Sequence, residues 1–260
     1  MSGILDISGK YTVAAMPEKD ALINVPEKTT AFSAGSTVIL SCPTIHDELE
    51  KCVRDTGCTY DVHELGKSNH NFPDRLRNQL QAEIDALQDY DRILLSFGIC
   101  GNAACGLTSS HAELVIPKVD DCVSLLMGGV KPRLECLNGK FGIFLTAGWL
   151  RYEENIWDEI CRTKQRYSEK RAAKILERMF GEMTYLTVLD TGAYNLADIL
   201  EKAEKIAETL HLELRVIKGD LSLLTGLLKG SWDADRYAVF PPGITTTSAR
   251  IMPDYSFRQR

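Results

Sequence analysis

The sequence predicts an α/β protein with parallel sheets built from repeated β-α-β units, arranged as two to three pseudo-repeated subdomains around a central crevice. Three observations predict it. Short apolar runs alternate with longer amphipathic stretches along most of the chain, the pattern of buried parallel strands joined by crossover helices. Helix-start and helix-stop residues stand where that alternation needs them. Two of the runs end directly on a cysteine turn, Ser41-Cys42-Pro43 and Phe97-Gly98-Ile99-Cys100-Gly101, at the strand ends where such sheets bind ligands.

Taken in order, residues 1–35 are rich in turn formers and read as an N-terminal extension that wraps the domain. Thr37–Ser41 is the first strand, and a polar helix over 45–56 follows. Tyr60–Leu65 is the second strand. Pro73–Leu87 reads as a helix, because Leu76, Leu80, Ile84 and Leu87 recur at helical spacing and Pro73 suits a first turn. Arg92–Phe97 is the third strand. Leu114–Pro117 is a fourth, leading to a helix through Cys122, Leu125 and Leu126 that stops at Gly128-Gly129. Phe141–Thr146 is a strand followed by two helices. The clearer runs from Ser168 as N-cap to Phe180, with Ala172, Ile175, Leu176 and Met179 on one face.

In the last third, Tyr185–Leu189 is a strand and Asn195 caps a helix with a broad stripe from Leu196 to Leu210. Leu212–Ile217 is a strand, Leu221–Leu228 a short helix and Tyr237–Phe240 a final strand. Asp89-Tyr-Asp-Arg92 and Asp233-Ala-Asp-Arg236 each introduce a strand ending in glycine, a weak internal echo. The expected division is an α/β domain over 36–248, with units at 36–110, 111–182 and 183–248, and a tail over 249–260.

Composition sets limits. Of 260 residues, 44% are apolar and 25% charged, enough for a sizeable core. A net charge of −6 argues against general nucleic-acid binding, which needs basic stripes. No apolar run approaches the roughly 18 residues of a membrane span, and the N-terminus lacks a basic start followed by an apolar run. A cytoplasmic location with no membrane partner is therefore expected. There the 8 cysteines serve better as ligands, reactive thiols or small core residues than as disulfides.

Cys42, His70, Cys100 and Cys122 are the candidate metal ligands. All four fall at strand-end loops or helix starts, and three thiols with an imidazole suit a soft metal. Their separations of 28, 30 and 22 residues match no compact finger, so tertiary structure must assemble the site. Zinc is the first expectation. A [4Fe-4S] cluster held by three cysteines is the alternative. Gly98 and Gly101 let the backbone approach a bound group closely, and Trp149, in Thr146-Ala-Gly-Trp149, can flank one. Asp121 stands beside Cys122 as a proton acceptor or support for the metal. Cys105, in a C-x4-C spacing with Cys100, ranks below these, and His46 is close enough to Cys42 to substitute for His70. Each also has a plain reading: a buried core thiol, a solvated histidine, a core-edge tryptophan.

At these motifs the chain resembles a family known as a domain of unknown function, found in archaea and bacteria. The resemblance rests on Cys42, His70-Asn-Phe-Pro73, Phe97-Gly-Ile-Cys100-Gly101, Asp121-Cys122 and Thr146-Ala-Gly-Trp149, and spans about residues 37–245. Such proteins are often encoded beside corrinoid-dependent methyltransferases. The resemblance implies a metal-binding protein of corrinoid-linked one-carbon metabolism, with a zinc-dependent methyltransferase as first expectation. The partner would be a small-molecule substrate or a corrinoid protein carrying the corrinoid. An iron–sulfur accessory protein that binds or reactivates a corrinoid protein is the second reading. A small-molecule binding protein with buried cysteines is the third.

Overall fold

Four parallel strands with an antiparallel fifth form one sheet, and four parallel strands form another. The computed structural model describes residues 12–14, 36–66, 69, 71–152, 154–230 and 232–252. In chain order the strands are β1 (Thr12–Ala14), β2 (Thr37–Ser41), β3 (Asp61–Glu64), β4 (Arg92–Ser96), β5 (Glu113–Pro117), β6 (Phe141–Leu145), β7 (Met183–Asp190), β8 (Glu213–Lys218) and β9 (Tyr237–Phe240). The helices are α1 (His46–Thr56), α2 (Pro73–Ala86), α3 (Cys122–Leu126), α4 (Val130–Leu137), α5 (Ala147–Tyr152), α6 (Ile156–Arg166), α7 (Glu169–Phe180), α8 (Ala197–Leu210), α9 (Ser222–Leu228) and α10 (Ser248–Ile251). A single 3-10 turn, Pro43–Ile45, joins β2 to α1.

The first sheet has the order β3-β2-β4-β5-β9 and the second β1-β8-β7-β6. Every described pairing is parallel except β5 with β9. The alternation that predicts an α/β fold is thus what the chain builds. Burial explains the strands: all of β2 is buried, and β4 is buried beyond its first residue. A strand covered on both faces must be apolar throughout, which is why these segments read as continuous runs.

The helices cover the sheets with one apolar face each. α2 buries Leu76, Leu80 and Ile84 at helical spacing, each contributing about 1.5–3 kcal/mol relative to exposure. α8 buries Ile199, Leu200, Ala203, Ile206 and Ala207. Leu196, rather than Asn195, occupies its N-cap, while the Asn195 carboxamide accepts from the Ala197 N–H at 3.3 Å. Ser168 stands at the N-cap of α7 without making a side-chain cap bond. Three helices, not two, separate β6 from β7. The extra boundary is a capping box, Asn155 with Asp158, which starts α6.

Sheet membership crosses the sequence thirds. β5 completes the parallel part of the first sheet, β6 opens the second, and β9 returns antiparallel to the first. Of the N-terminal extension only Thr12–Ala14 is described, and it pairs with Arg215–Ile217 of β8. The two sheets are tied where α3 ends: the Asp220 N–H donates to the Leu126 carbonyl at 2.8 Å. Among the described residues no helix is long and apolar enough to cross a membrane.

Candidate functional site

The site forms where loops from both sheets meet. β2 and β4 are neighbours with Ser41 level with Ser96, so the loops after them leave the same sheet edge. The first carries Cys42. This residue is buried; its carbonyl accepts from the Ile45 N–H at 3.2 Å, and its sulfur lies 2.9 Å from the Thr44 hydroxyl. The second carries Cys100, held at φ 47, with Gly101 at φ 64. A non-glycine residue in the left-handed region costs energy, and such strain gathers at functional turns. β5 adjoins β4 and leads into Asp120, Asp121 and α3, whose first residue is Cys122.

Two glycines allow these loops to meet. A Cβ on Gly98 would lie 2.6 Å from the Asp121 nitrogen and 2.8 Å from the Val119 carbonyl oxygen. Only glycine lets the Cys100 loop lie flat on the Cys122 loop, where the Ile99 and Cys100 N–H groups donate to Val119 and Asp120 carbonyls at 2.9 and 2.8 Å. Gly148 does the same for the second sheet. A Cβ there would sit 2.0 Å from the Thr44 carbonyl oxygen, so α5 can lie against the turn that follows Cys42 only without one. This contact brings Trp149 beside Cys122, where its indole opposes the rise of the thiol's pKa.

The electrostatics follow from burial. Desolvation pushes the Cys100 thiol far up, and the proximity of Cys42 and Asp121 raises it further. The Cys122 thiol is raised by desolvation, then by Asp121, Cys100 and Cys42, while Trp149 opposes the rise. Cys42, Cys100, Cys122 and Asp121 therefore act on one another, and the Cys100 and Cys122 thiols are held in the neutral form. Asp121 caps α3 by accepting from the Ser124 N–H at 3.0 Å, and shares Arg133 with Asp120 at 2.8 Å each. Its carboxyl is raised by burial against the lowering pull of Arg133.

Family membership can now be added. A family model described as a protein of unknown function (DUF1638) matches residues 65–228. The chain belongs to the DUF1638 family. No match was found among curated proteins or among solved structures. The DUF1638 stretch contains Gly98, Cys100, Gly101, Asp121, Cys122 and Trp149, while Cys42 and α1 precede it.

Within this DUF1638 chain the structure brings together Cys42, Cys100, Cys122, Asp121 and Trp149. His70 lies outside the described residues. Among the described residues, no three histidine, cysteine, aspartate or glutamate side chains are arranged as a ready metal-holding group. In donor chemistry three thiols with an adjacent carboxylate fit a soft cation, and the burial that keeps Cys100 and Cys122 protonated, reinforced by their neighbours' charge, is what such a cation would offset. The His46 ring nitrogens face Glu64 at 2.7 Å and Glu50 at 3.4 Å. Cys105 answers to Arg77 rather than to the thiol cluster. Thr246 braces the Cys100 loop, donating to the Ala104 carbonyl at 2.7 Å and accepting from the Leu107 N–H at 2.9 Å.

Sequence reasoning missed three features. Glu48 is fully buried on α1 and accepts from Thr191 of the second sheet's loop at 3.0 Å. Its place on the face shared with Leu49 and Cys52 was the available signal. Arg133, which serves both aspartates, sits on α4, a helix with no clear sequence signature. A pocket of about 370 Å³ shares Val123 and Trp149 with the thiol crevice and extends to α6 and Phe180. It is assembled from segments far apart in sequence.

Proposed function

We propose that the protein holds a soft metal ion, zinc first, through Cys42, Cys100 and Cys122 with His70 as the fourth ligand, and acts in corrinoid-linked methyl transfer. One observation carries the metal half of this reading. Three thiols from three separate strand-end loops, Cys42, Cys100 and Cys122, act on one another beside Asp121. A bound metal of this kind lowers the pKa of a coordinated thiol or amine, so that a substrate can attack a methyl group at neutral pH.

The chain's own residues have defined tasks in this scheme. The site buries Cys42 and Cys122 and leaves Cys100 partly exposed. Trp149 lies beside the Cys122 sulfur and favours its thiolate form. Asp121 is held by Arg133 and by the α3 N-terminus, so that it can accept a proton released beside Cys122. The methyl-transfer half is supported by the family resemblance of the motifs around these residues.

The test is anaerobic titration of the metal-free protein with zinc and with cobalt(II), wild type beside Cys42→Ser, Cys100→Ser and Cys122→Ser. Because the thiols start protonated, binding should release protons and strengthen as pH rises. Cobalt should show thiolate charge-transfer absorption that each serine variant diminishes. Absence of binding by the folded wild type would overturn the metal reading. Iron bound in place of zinc would select the cluster alternative.

A further inference from the structure

We propose that the pocket beside the thiol crevice binds an organic ammonium ion, a compact cation with apolar arms. This names a substrate class for the site proposed above and rests on that reading for its chemistry, while the binding itself follows from the pocket. The cavity of about 370 Å³ is at the small end of ligand pockets, which suits a ligand of roughly ten heavy atoms. Its walls include Phe144, Trp149 and Phe180. Trp149 lines the pocket and offers a ligand its aromatic ring. Aromatic rings attract cations through their negative faces. The ring of Phe144 already has the Arg133 guanidinium at 5.7 Å.

The charges select the sign. The pocket lies between two clusters, each with two carboxylates to one guanidinium. On the α6 side Arg162 meets Glu159 at 2.9 Å and Glu154 at 3.4 Å. On the thiol side Arg133 meets Asp120 and Asp121, each at 2.8 Å. Each cluster carries one negative charge in excess when its carboxylates are ionised. Arg162 is the one cationic side chain among the described lining residues, and both its terminal nitrogens are committed to the glutamates. An incoming anion meets a guanidinium already neutralised and a carboxylate field. An ammonium ion meets aromatic faces and shared carboxylates, and its apolar arms cover the Ile143 and Phe144 wall.

The experiment is a ligand-observed NMR titration of metal-free protein with three probes of similar size: choline, its neutral isostere 3,3-dimethylbutan-1-ol, and the anion 3-methylbutanoate. Choline should bind about tenfold more tightly than the alcohol, and the anion should bind most weakly. A Glu154→Gln/Glu159→Gln double variant, shown to be folded by circular dichroism, should lose most of that preference while keeping its affinity for the alcohol. Equal binding of choline and alcohol, preference for the anion, or no binding by the folded protein would each overturn the proposal. Failure of the metal reading would appear in metal content and not in these titrations, so the two can fail separately.

Discussion

Replacing Glu48 with glutamine should stabilise the protein at neutral and alkaline pH and do little in mild acid. Glu48 is fully buried where α1 meets the loop after β7. One carboxyl oxygen accepts from Thr191 at 3.0 Å, and the other has no hydrogen-bond partner. Desolvation pushes the carboxyl from 4.5 up to about 7, opposed by the Thr191 bond and by Arg151, and reinforced by Asp47. In the unfolded chain the group ionises near its ordinary value. Between the two values the folded state keeps a proton that the unfolded state loses, so stability falls as pH rises through this window. A rise from 4.5 to about 7 corresponds to about 3 kcal/mol lost by pH 8. Glutamine has the same shape and no charge. The assay is urea unfolding of wild type and Glu48→Gln at pH 5, 6, 7 and 8, taking the difference at each pH so that other titrating groups cancel. The difference should grow by about 3 kcal/mol in favour of the variant between pH 5 and 8. A difference that stays constant, or grows in favour of wild type, would refute the reasoning.

Other outcomes follow from the same structure. Gly148→Ala places a methyl group 2.0 Å from the Thr44 carbonyl oxygen, and should destabilise by about 1–3 kcal/mol in chemical unfolding while shifting Trp149 fluorescence. Gly98→Ala strikes Asp121 backbone at 2.6 Å; it should part the Cys100 and Cys122 loops and abolish metal binding at a similar cost in stability. Leu80→Ala in α2 removes a side chain with no exposed surface and should cost about 2–5 kcal/mol by the same unfolding assay. Iodoacetamide at pH 8, followed by peptide mass spectrometry, should modify the partly exposed Cys58 and Cys161 well before Cys42 and Cys122, which are buried, the latter with its thiolate disfavoured. Equal rates at all four would show that the crevice is open.

The fold was legible where burial forces a pattern. β2 and β4 are apolar because both faces are covered, and α2 declares itself through Pro73 and the Leu76, Leu80, Ile84 spacing. What escaped was decided by tertiary context. α4 fully buries none of its residues, and its short pattern of Val130, Leu134 and Leu137 has Pro132 inside it. The return of β9 to the first sheet is a matter of topology, and a short apolar strand looks the same on either sheet. Among site residues, Cys42, Cys100 and Cys122 stood out because each closes a strand or opens a helix. Their meeting depends on the flat contacts at Gly98 and Gly148; the sequence marks Gly98 for a close approach but not that the Asp121 backbone is what it approaches. Glu48 was read as one more charge on a polar helix. Its burial required Thr191, 143 positions away, as a partner.

The most direct test of the central claim is metal analysis of protein purified without oxygen, wild type beside Cys100→Ser. The account predicts about one equivalent of zinc per wild-type chain, lost in the variant while its circular dichroism is unchanged. No metal in either sample, or equal metal in both, would contradict it and return Cys42, Cys100 and Cys122 to the role of buried core thiols.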